Sequence, residues 1–247
     1  SAVMHTATSE QLQQMYEMPA ASAAQTDRMS YDDVLMKIAG SFAVLVAFAF
    51  VGWQFPVVTI PAAIVGFVLA MVNIFRKQPP LPALILAYAA VEGLFVGGIS
   101  NMFNYLVEGS VLQAVIGTFI VIGVTLALYS TGKFRPTPKW TKVVVVAMIG
   151  YLMFSVVNFI LMMTGVTSGM FGLRSVEFMG IPLGAILGVV VILLASYSLV
   201  MDFDNVRVGV ERGAPRIYGW SAAFGIMVTV IWLYLEILRL IAILNQR

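Results

Sequence analysis

The chain has 247 residues, of which 60% are hydrophobic and only 11% are charged, with a formal net charge of +2. A soluble globular domain carries about a quarter charged residues, so the composition indicates an integral membrane protein. The small net charge does not favour a nucleic-acid partner. The chain has no cysteine and one histidine, His5, which excludes thiolate chemistry, His-dependent catalytic triads and paired-His zinc motifs.

Residues 1–30 are rich in Ala, Ser, Thr, Gln and Met and contain no long apolar run. They lack the basic start, apolar middle and cleavage site of a signal peptide. We expect a polar cytoplasmic head over residues 1–30, with a weakly amphipathic helix around Glu10–Met18. The remainder, 31–247, is predicted to be one transmembrane domain.

Seven apolar runs follow the head, and each has close to the 20 or so residues that a helix needs to cross a bilayer. They are Val34–Gln54, Val57–Phe75, Leu81–Val107, Val111–Thr131, Trp140–Gly165, Ile181–Val200 and Tyr218–Leu244. The links between them are mostly short and contain Pro or Gly. The sequence therefore predicts an all-α fold of seven transmembrane helices.

Basic residues are concentrated in alternate loops. They are Arg76, Lys77, Lys133, Arg135, Lys139, Lys142, Arg207, Arg212 and Arg216. The opposite loops contain only Arg174. Because Lys and Arg are enriched in cytoplasmic loops, we expect the N-terminus to be cytoplasmic and the C-terminus to lie outside.

Glu92 falls about ten residues into the third run, near the predicted membrane midplane. An acid at that depth is costly and is often functional. Two interpretations remain open: a buried hydrogen bond to a neighbouring helix, or a relay for protons or cations.

Glu236 and Arg239 make the seventh run unusually polar. Their spacing of three places them on one helix face, which predicts a local ion pair. Glu92 is a second candidate partner for Arg239. A helix this polar is suited to the centre of a bundle, shielded by the other six.

Asp202 and Asp204 are predicted to end the sixth run on the cytoplasmic side. Being two apart, they point in different directions, so only one easily faces the interior of the bundle. A carboxylate in a partly dry site beside another carboxylate binds a proton more readily, which suits a pH sensor. Such a pair also offers the oxygen ligands that Ca²⁺ prefers.

Three stretches resemble the Bax inhibitor-1 family, also called TMBIM or YccA-like. They are Met201–Val206 with Glu211–Gly213, Glu92–Ser100 and, as in the actinobacterial branch, Trp232–Leu240. The resemblance covers about residues 30–245. It implies six helices around a central C-terminal helix, in the inner (plasma) membrane of a bacterium.

The resemblance also implies a pH-sensitive Ca²⁺ leak controlled by two aspartates, one in each of the last two helices. Asp202 matches the first, with Asp204 as the fallback, and Arg76 matches a basic residue that interacts with the pair as a latch. Alignment through Tyr218 and Trp220 puts the second aspartate at Val228 or Thr229. Alignment through Leu233–Leu235 puts it at Glu236, which would make Asp202 and Glu236 the candidate Ca²⁺ ligands.

Two functions follow as hypotheses. The first is a proton-gated cation leak, for Ca²⁺, with Asp202 as sensor, Glu236 or Glu92 as a second acid and Arg76 as latch. The second is a regulator without transport that binds a membrane protease or secretion channel, as the likeness to YccA-type proteins suggests. An intramembrane enzyme is disfavoured because the motifs of aspartyl intramembrane proteases are missing, and no cofactor is expected.

Overall fold

The structure, a computed structural model, describes residues 8–17, 19, 27–166 and 171–245. The helices within these ranges are α1 (Ser9–Glu17), α2 (Tyr31–Gln54), α3 (Thr59–Phe75), α4 (Pro82–Leu106), α5 (Ser110–Ser130), α6 (Pro138–Met163), α7 (Leu183–Glu211) and α8 (Gly219–Leu244). Strands β1 (Glu177–Phe178) and β2 (Ile181–Pro182) form an antiparallel hairpin before α7. By length and composition, α2 to α8 can each cross a membrane, as the seven apolar runs predicted.

The head begins with the short helix α1, where a helix was expected around Glu10–Met18. Thr8 and Gln11 cap its start reciprocally: each backbone N–H is hydrogen-bonded to the other's side chain. Met18 and His5 lie outside the described residues. The side chains of this helix that the structure describes are exposed.

The end of the head is bound to the bundle. The backbone N–H of Met29 donates to the carbonyl of Ala214 at 2.8 Å, and that of Arg216 donates to the carbonyl of Asp27 at 3.0 Å. Ser30 then caps α2, accepting from the N–H of Asp33 at 3.2 Å. The chain before the first span is thereby fixed against the loop between α7 and α8.

The C-terminal helix α8 is the centre of the bundle. Met227, Leu233 and Leu238 on it are completely buried, and it packs against α2, α4, α5 and α7. Helix α3 packs on α4, and α6 packs on α7, outside this inner set. A buried central helix confirms the expected architecture, and it buries the side chains of Thr229 and Glu236.

Helices α2 and α4 approach closely through glycines. Gly97 faces the backbone carbonyl of Ala49, and Gly52 faces that of Leu94, with no room for a Cβ atom at either position. Small residues at such contacts let membrane helices pack backbone to backbone. The pair forms a rigid wall beside α8.

Helix α7 is much longer than the sequence predicted. Its expected end was Val200, but it continues to Glu211, so the aspartates that follow Val200 lie inside the helix rather than at its end. The apolar pattern stops there, but ion pairs Arg207–Asp204 (2.8 Å) and Arg207–Glu211 (3.0 Å) span successive turns and support the helical conformation.

Candidate functional site

Asp202 meets the central helix through Thr229. The Thr229 hydroxyl donates to Asp202 Oδ2 at 2.8 Å, and Gly225, one turn earlier on α8, leaves room for the other carboxylate oxygen. Asp202 is nine residues from the end of α7, a rise of about 14 Å along the helix. The contact therefore lies well inside α7 rather than at its end, and it ties α7 to α8 at a partly buried position.

The Thr229 hydroxyl has two acceptors and one hydrogen. Besides Asp202, it lies 3.0 Å from the carbonyl oxygen of Gly225. When Asp202 is ionised, the hydroxyl donates to the carboxylate, and this charge-assisted bond is stronger than a neutral one. When Asp202 carries a proton, the acid can donate to Thr229, whose hydrogen then turns to Gly225. Protonation of Asp202 would thus rearrange the hydrogen bonds at this contact between the two helices.

Asp204 lies in a different environment. It accepts hydrogen bonds from the Tyr129 hydroxyl (2.9 Å) and from Arg207 (2.8 Å), and the guanidinium of Arg135 stacks 3.9 Å from the centre of the Tyr129 ring. Two cations therefore surround this acid. The arrangement joins the ends of α5 and α7 and is typical of a structural ion-pair network.

Glu236 is only 3% exposed and is paired. Its Oε1 accepts from Arg239, one turn further along α8, and from the Tyr151 hydroxyl of α6 at 2.7 Å. The local ion pair predicted from the spacing is present. Arg239 pairs with this acid rather than with Glu92.

Arg174 joins the same cluster from the loop between α6 and α7. Its Nη2 donates to the Tyr151 hydroxyl (3.0 Å) and to Ser155 (2.8 Å). Asn158 holds this loop against α6 by accepting from the N–H of Leu173 and donating to the carbonyl of Phe171. The result is a buried arginine in a segment that the sequence presented as an ordinary link.

Glu92 on α4 faces α3, where its carboxylate fills the space beside Gly66. In the part of the chain that the structure describes, Glu92 takes part in none of the ion pairs, which join Asp33, Asp204, Glu211 and Glu236 to arginine or lysine. Asp202 is likewise outside them. These two acids are the ones within the spans that have neither a close cation nor a solvated helix end.

A comparison with known families agrees with this architecture. A family model described as "Bax inhibitor 1 like" matches residues 5–246, essentially the whole chain. The chain belongs to the Bax inhibitor-1-like family. No curated protein matches it.

Membership of the Bax inhibitor-1-like family suggests a role as a membrane channel or regulator. The family is of membrane-channel type and is not known for enzymes. With seven apolar helices, this member is a multi-pass membrane protein whose surroundings are the lipid bilayer.

The contact with Asp202 can be compared with the two positions expected for a second aspartate, in which Thr229 figures. Thr229 is one of the two positions to which alignment through Tyr218 and Trp220 assigns the second aspartate, and it contacts Asp202 directly. Glu236, the other assignment, lies seven residues further along α8, a rise of about 10 Å. The residue opposite Asp202 on α8 is therefore a hydroxyl and not Glu236.

The structure does not bring Asp202 and Glu236 together. They bond to different partners at different levels of α8, too far apart to share ligand distances of about 2.3–2.6 Å to one Ca²⁺. The described residues contain no group of three or more acids or histidines suited to a metal. Arg76 also lies elsewhere: it donates to the carbonyl of Pro79 and to Gln78 in its own loop.

Sequence reasoning missed Tyr151, and it treated Arg174 only as a loop charge. Tyr151 stands in an apolar run with no pattern that marks it, and its partner on α8 is 85 residues away. Arg174 did carry a signal, because it is the single basic residue among loops otherwise free of Lys and Arg. A lone arginine on the side that avoids arginine is better explained by burial than by topology.

Proposed function

We propose that the protein is a proton-sensitive leak for cations, specifically Ca²⁺, in which Asp202 is the sensor and Thr229 is its partner on the central helix. The observation that carries this proposal is that Asp202, partly buried between α7 and α8, has a hydroxyl partner and forms no ion pair with any other described residue. An acid held in that way changes the strength of a helix–helix contact when it gains or loses a proton.

The proposed gate is the junction of α7 and α8. At high pH, the ionised Asp202 holds Thr229 by a charge-assisted hydrogen bond; at low pH, the neutral acid holds it more weakly. Acidification therefore loosens α7 against the central helix and changes the permeability of the path between them. Glu92 is proposed as a second acid on the cation path, because it also lacks a compensating cation.

The latch role expected for Arg76 is not carried into this mechanism, since its guanidinium is held in the loop after α3. Glu236 and Arg239 are also left out of the gate, because they compensate each other. The proposal therefore rests on fewer residues than the family resemblance implied.

The test is Ca²⁺ entry into proteoliposomes from about pH 5 to about pH 8, for the wild type and for Asp202→Asn, which keeps the shape and the acceptor but cannot titrate. Asp204→Asn is the matched control, two residues away on the same helix. We expect flux that varies with pH in the wild type and in the control, and a flat profile in Asp202→Asn. A profile flattened only by Asp204→Asn would assign the sensor to Asp204 and overturn the proposal.

If the protein is instead a regulator without transport, the opposite flux result is expected. Such a protein, bound to a membrane protease or secretion channel, would give no flux above empty liposomes at any pH. Its contact surface would include the exposed helix α1, so deletion of residues 1–26 would release a copurifying partner. That deletion leaves Asp27 and its contact with the loop after α7 in place.

A further inference from the structure

The cluster around Tyr151 opens onto a groove between α6 and α8 that neither the leak nor the regulator uses. The groove has a volume of about 510 Å³, within the range of about 300–1,000 Å³ that small-molecule sites occupy. It exists because α6 packs on α7 and stands away from the central helix. Its lining residues are Val145, Met148, Ile149, Tyr151, Leu152, Ser155, Trp232, Glu236 and Arg239.

The groove is apolar at one end and polar at the other. Along α6, the residues nearer its start, Val145 to Ile149, are hydrocarbon or thioether side chains, whereas Tyr151 and Ser155 further on carry hydroxyls. Ile149 and Leu152 are more than half exposed, so in a membrane they face lipid chains. A ligand that fits must have a long apolar part and one polar end.

The polar end has one positive charge in excess. Arg174 and Arg239 both donate to the Tyr151 hydroxyl, at 3.0 Å each, and that hydroxyl donates to Glu236. Two guanidinium groups thus surround a single carboxylate in the described part of the chain. An uncompensated charge at a buried site is costly, and a second anion would remove the imbalance.

Arg239 has the donors to bind that anion. Its contacts with Glu236 and Tyr151 both use Nη1, and its side chain is 30% exposed toward the groove. Its Nε and Nη2 remain free of hydrogen bonds within the described residues, and the fork they form matches a carboxylate. Behind it, the buried Nε of Arg174 also has no partner there.

We propose that this groove binds one long-chain fatty acid from the surrounding bilayer, with its carboxylate on Arg239 and its chain along the apolar residues of α6. A single-chain acid combines the required charge, size and apolar length, and it can enter sideways from the membrane. Binding would lock α6 onto the central helix and balance the charge of the cluster.

Trp232 in the groove provides the readout. With the protein in nanodiscs, 9,10-dibromostearate should quench Trp232 fluorescence in a saturable way, and subtracting the signal of Trp232→Phe isolates this residue from the other three tryptophans. Dibromostearyl alcohol, which has the chain without the charge, should quench at least about tenfold more weakly. Acetate, which has the charge without the chain, should not compete.

Arg239→Gln should weaken dibromostearate binding about tenfold or more, whereas Lys133→Gln, which removes a charge outside the groove, should leave it unchanged. If Arg239→Gln does not fold, Ile149→Phe, which narrows the groove without touching a charge, should lower the affinity instead. Equal quenching by acid and alcohol, or quenching that never saturates, would overturn the proposal and indicate simple partition into the bilayer. The proposal would also be overturned if neither Arg239→Gln nor Ile149→Phe changed the affinity for dibromostearate.

Discussion

Asp202, which contacts the central helix from α7, and Glu236, which belongs to that helix, are two carboxylates about two helical turns apart, and they differ in the charge of their partners. Asp202 has the hydroxyl of Thr229, whereas Glu236 has an arginine in addition to a hydroxyl. The first site has no countercharge among the described residues, and the proposed function makes it the one that responds to a proton. The second is a fixed ion cluster. Burial alone therefore does not distinguish a candidate sensor from a structural acid. The charge of the hydrogen-bond partner distinguishes them.

The largest effect on stability is expected at the ion cluster. Glu236→Leu leaves Arg239 and Arg174 without their anion, and breaking a buried pair from one side costs about 3–5 kcal/mol. Unfolding in detergent micelles should show this loss, while Glu177→Gln, at an exposed acid in β1, should not. The double variant Glu236→Leu/Arg239→Leu should recover a large part of it. If the loss in the double variant equals the sum of the losses in Glu236→Leu and Arg239→Leu measured singly, the two residues are not coupled.

The next largest loss of stability is expected from Tyr151→Phe. The ring stays, but two arginine donors and one carboxylate acceptor lose the hydroxyl that joins them, at a cost of about 1–3 kcal/mol. Thermal unfolding measures it, and Tyr105→Phe, on a ring that is 89% exposed, is the control. Equal stability of the two variants would mean that the hydroxyl is not the hub of the cluster.

A smaller loss is expected from Thr229→Val at the sensor site. The isosteric change removes the donor to Asp202 and should cost about 1–2 kcal/mol, more at high pH than at low pH because the ionised acid loses the stronger bond. Thr229→Ser retains the hydroxyl and should behave like the wild type. A cost that is the same at every pH would separate Thr229 from the titration of Asp202.

The smallest effect on stability should come from Asp202→Asn, below about 1 kcal/mol, because the amide oxygen still accepts from Thr229. The same change should remove the pH dependence of unfolding that this site contributes. Melting temperatures compared at about pH 5 and about pH 8 would check both expectations. A loss as large as that of Glu236→Leu would show that the sensor acid is instead a structural charge.

The sequence predicted the seven spans, the buried polar last helix and the Glu236–Arg239 pair, because hydropathy and helical spacing are local properties. It placed the end of α7 eleven residues early, since hydropathy stops at Val200 while the ion pairs of Arg207 continue the helix. The partners across helices, Thr229 with Asp202 and Tyr151 with Glu236, depend on tertiary packing. Only the alignment to the family identified Thr229 as a candidate site residue, and no feature of the sequence identified Tyr151.

The most direct test of the central claim is infrared difference spectroscopy of the protein in liposomes, titrated from about pH 5 to about pH 8 while Ca²⁺ flux is recorded. We predict a protonated-carboxyl band that appears on acidification with the same midpoint as the change in flux. The component of the band that shares this midpoint should be absent in Asp202→Asn and retained in Asp204→Asn. A titrating band and a flux profile that both survive in Asp202→Asn would contradict the assignment of Asp202 as the sensor.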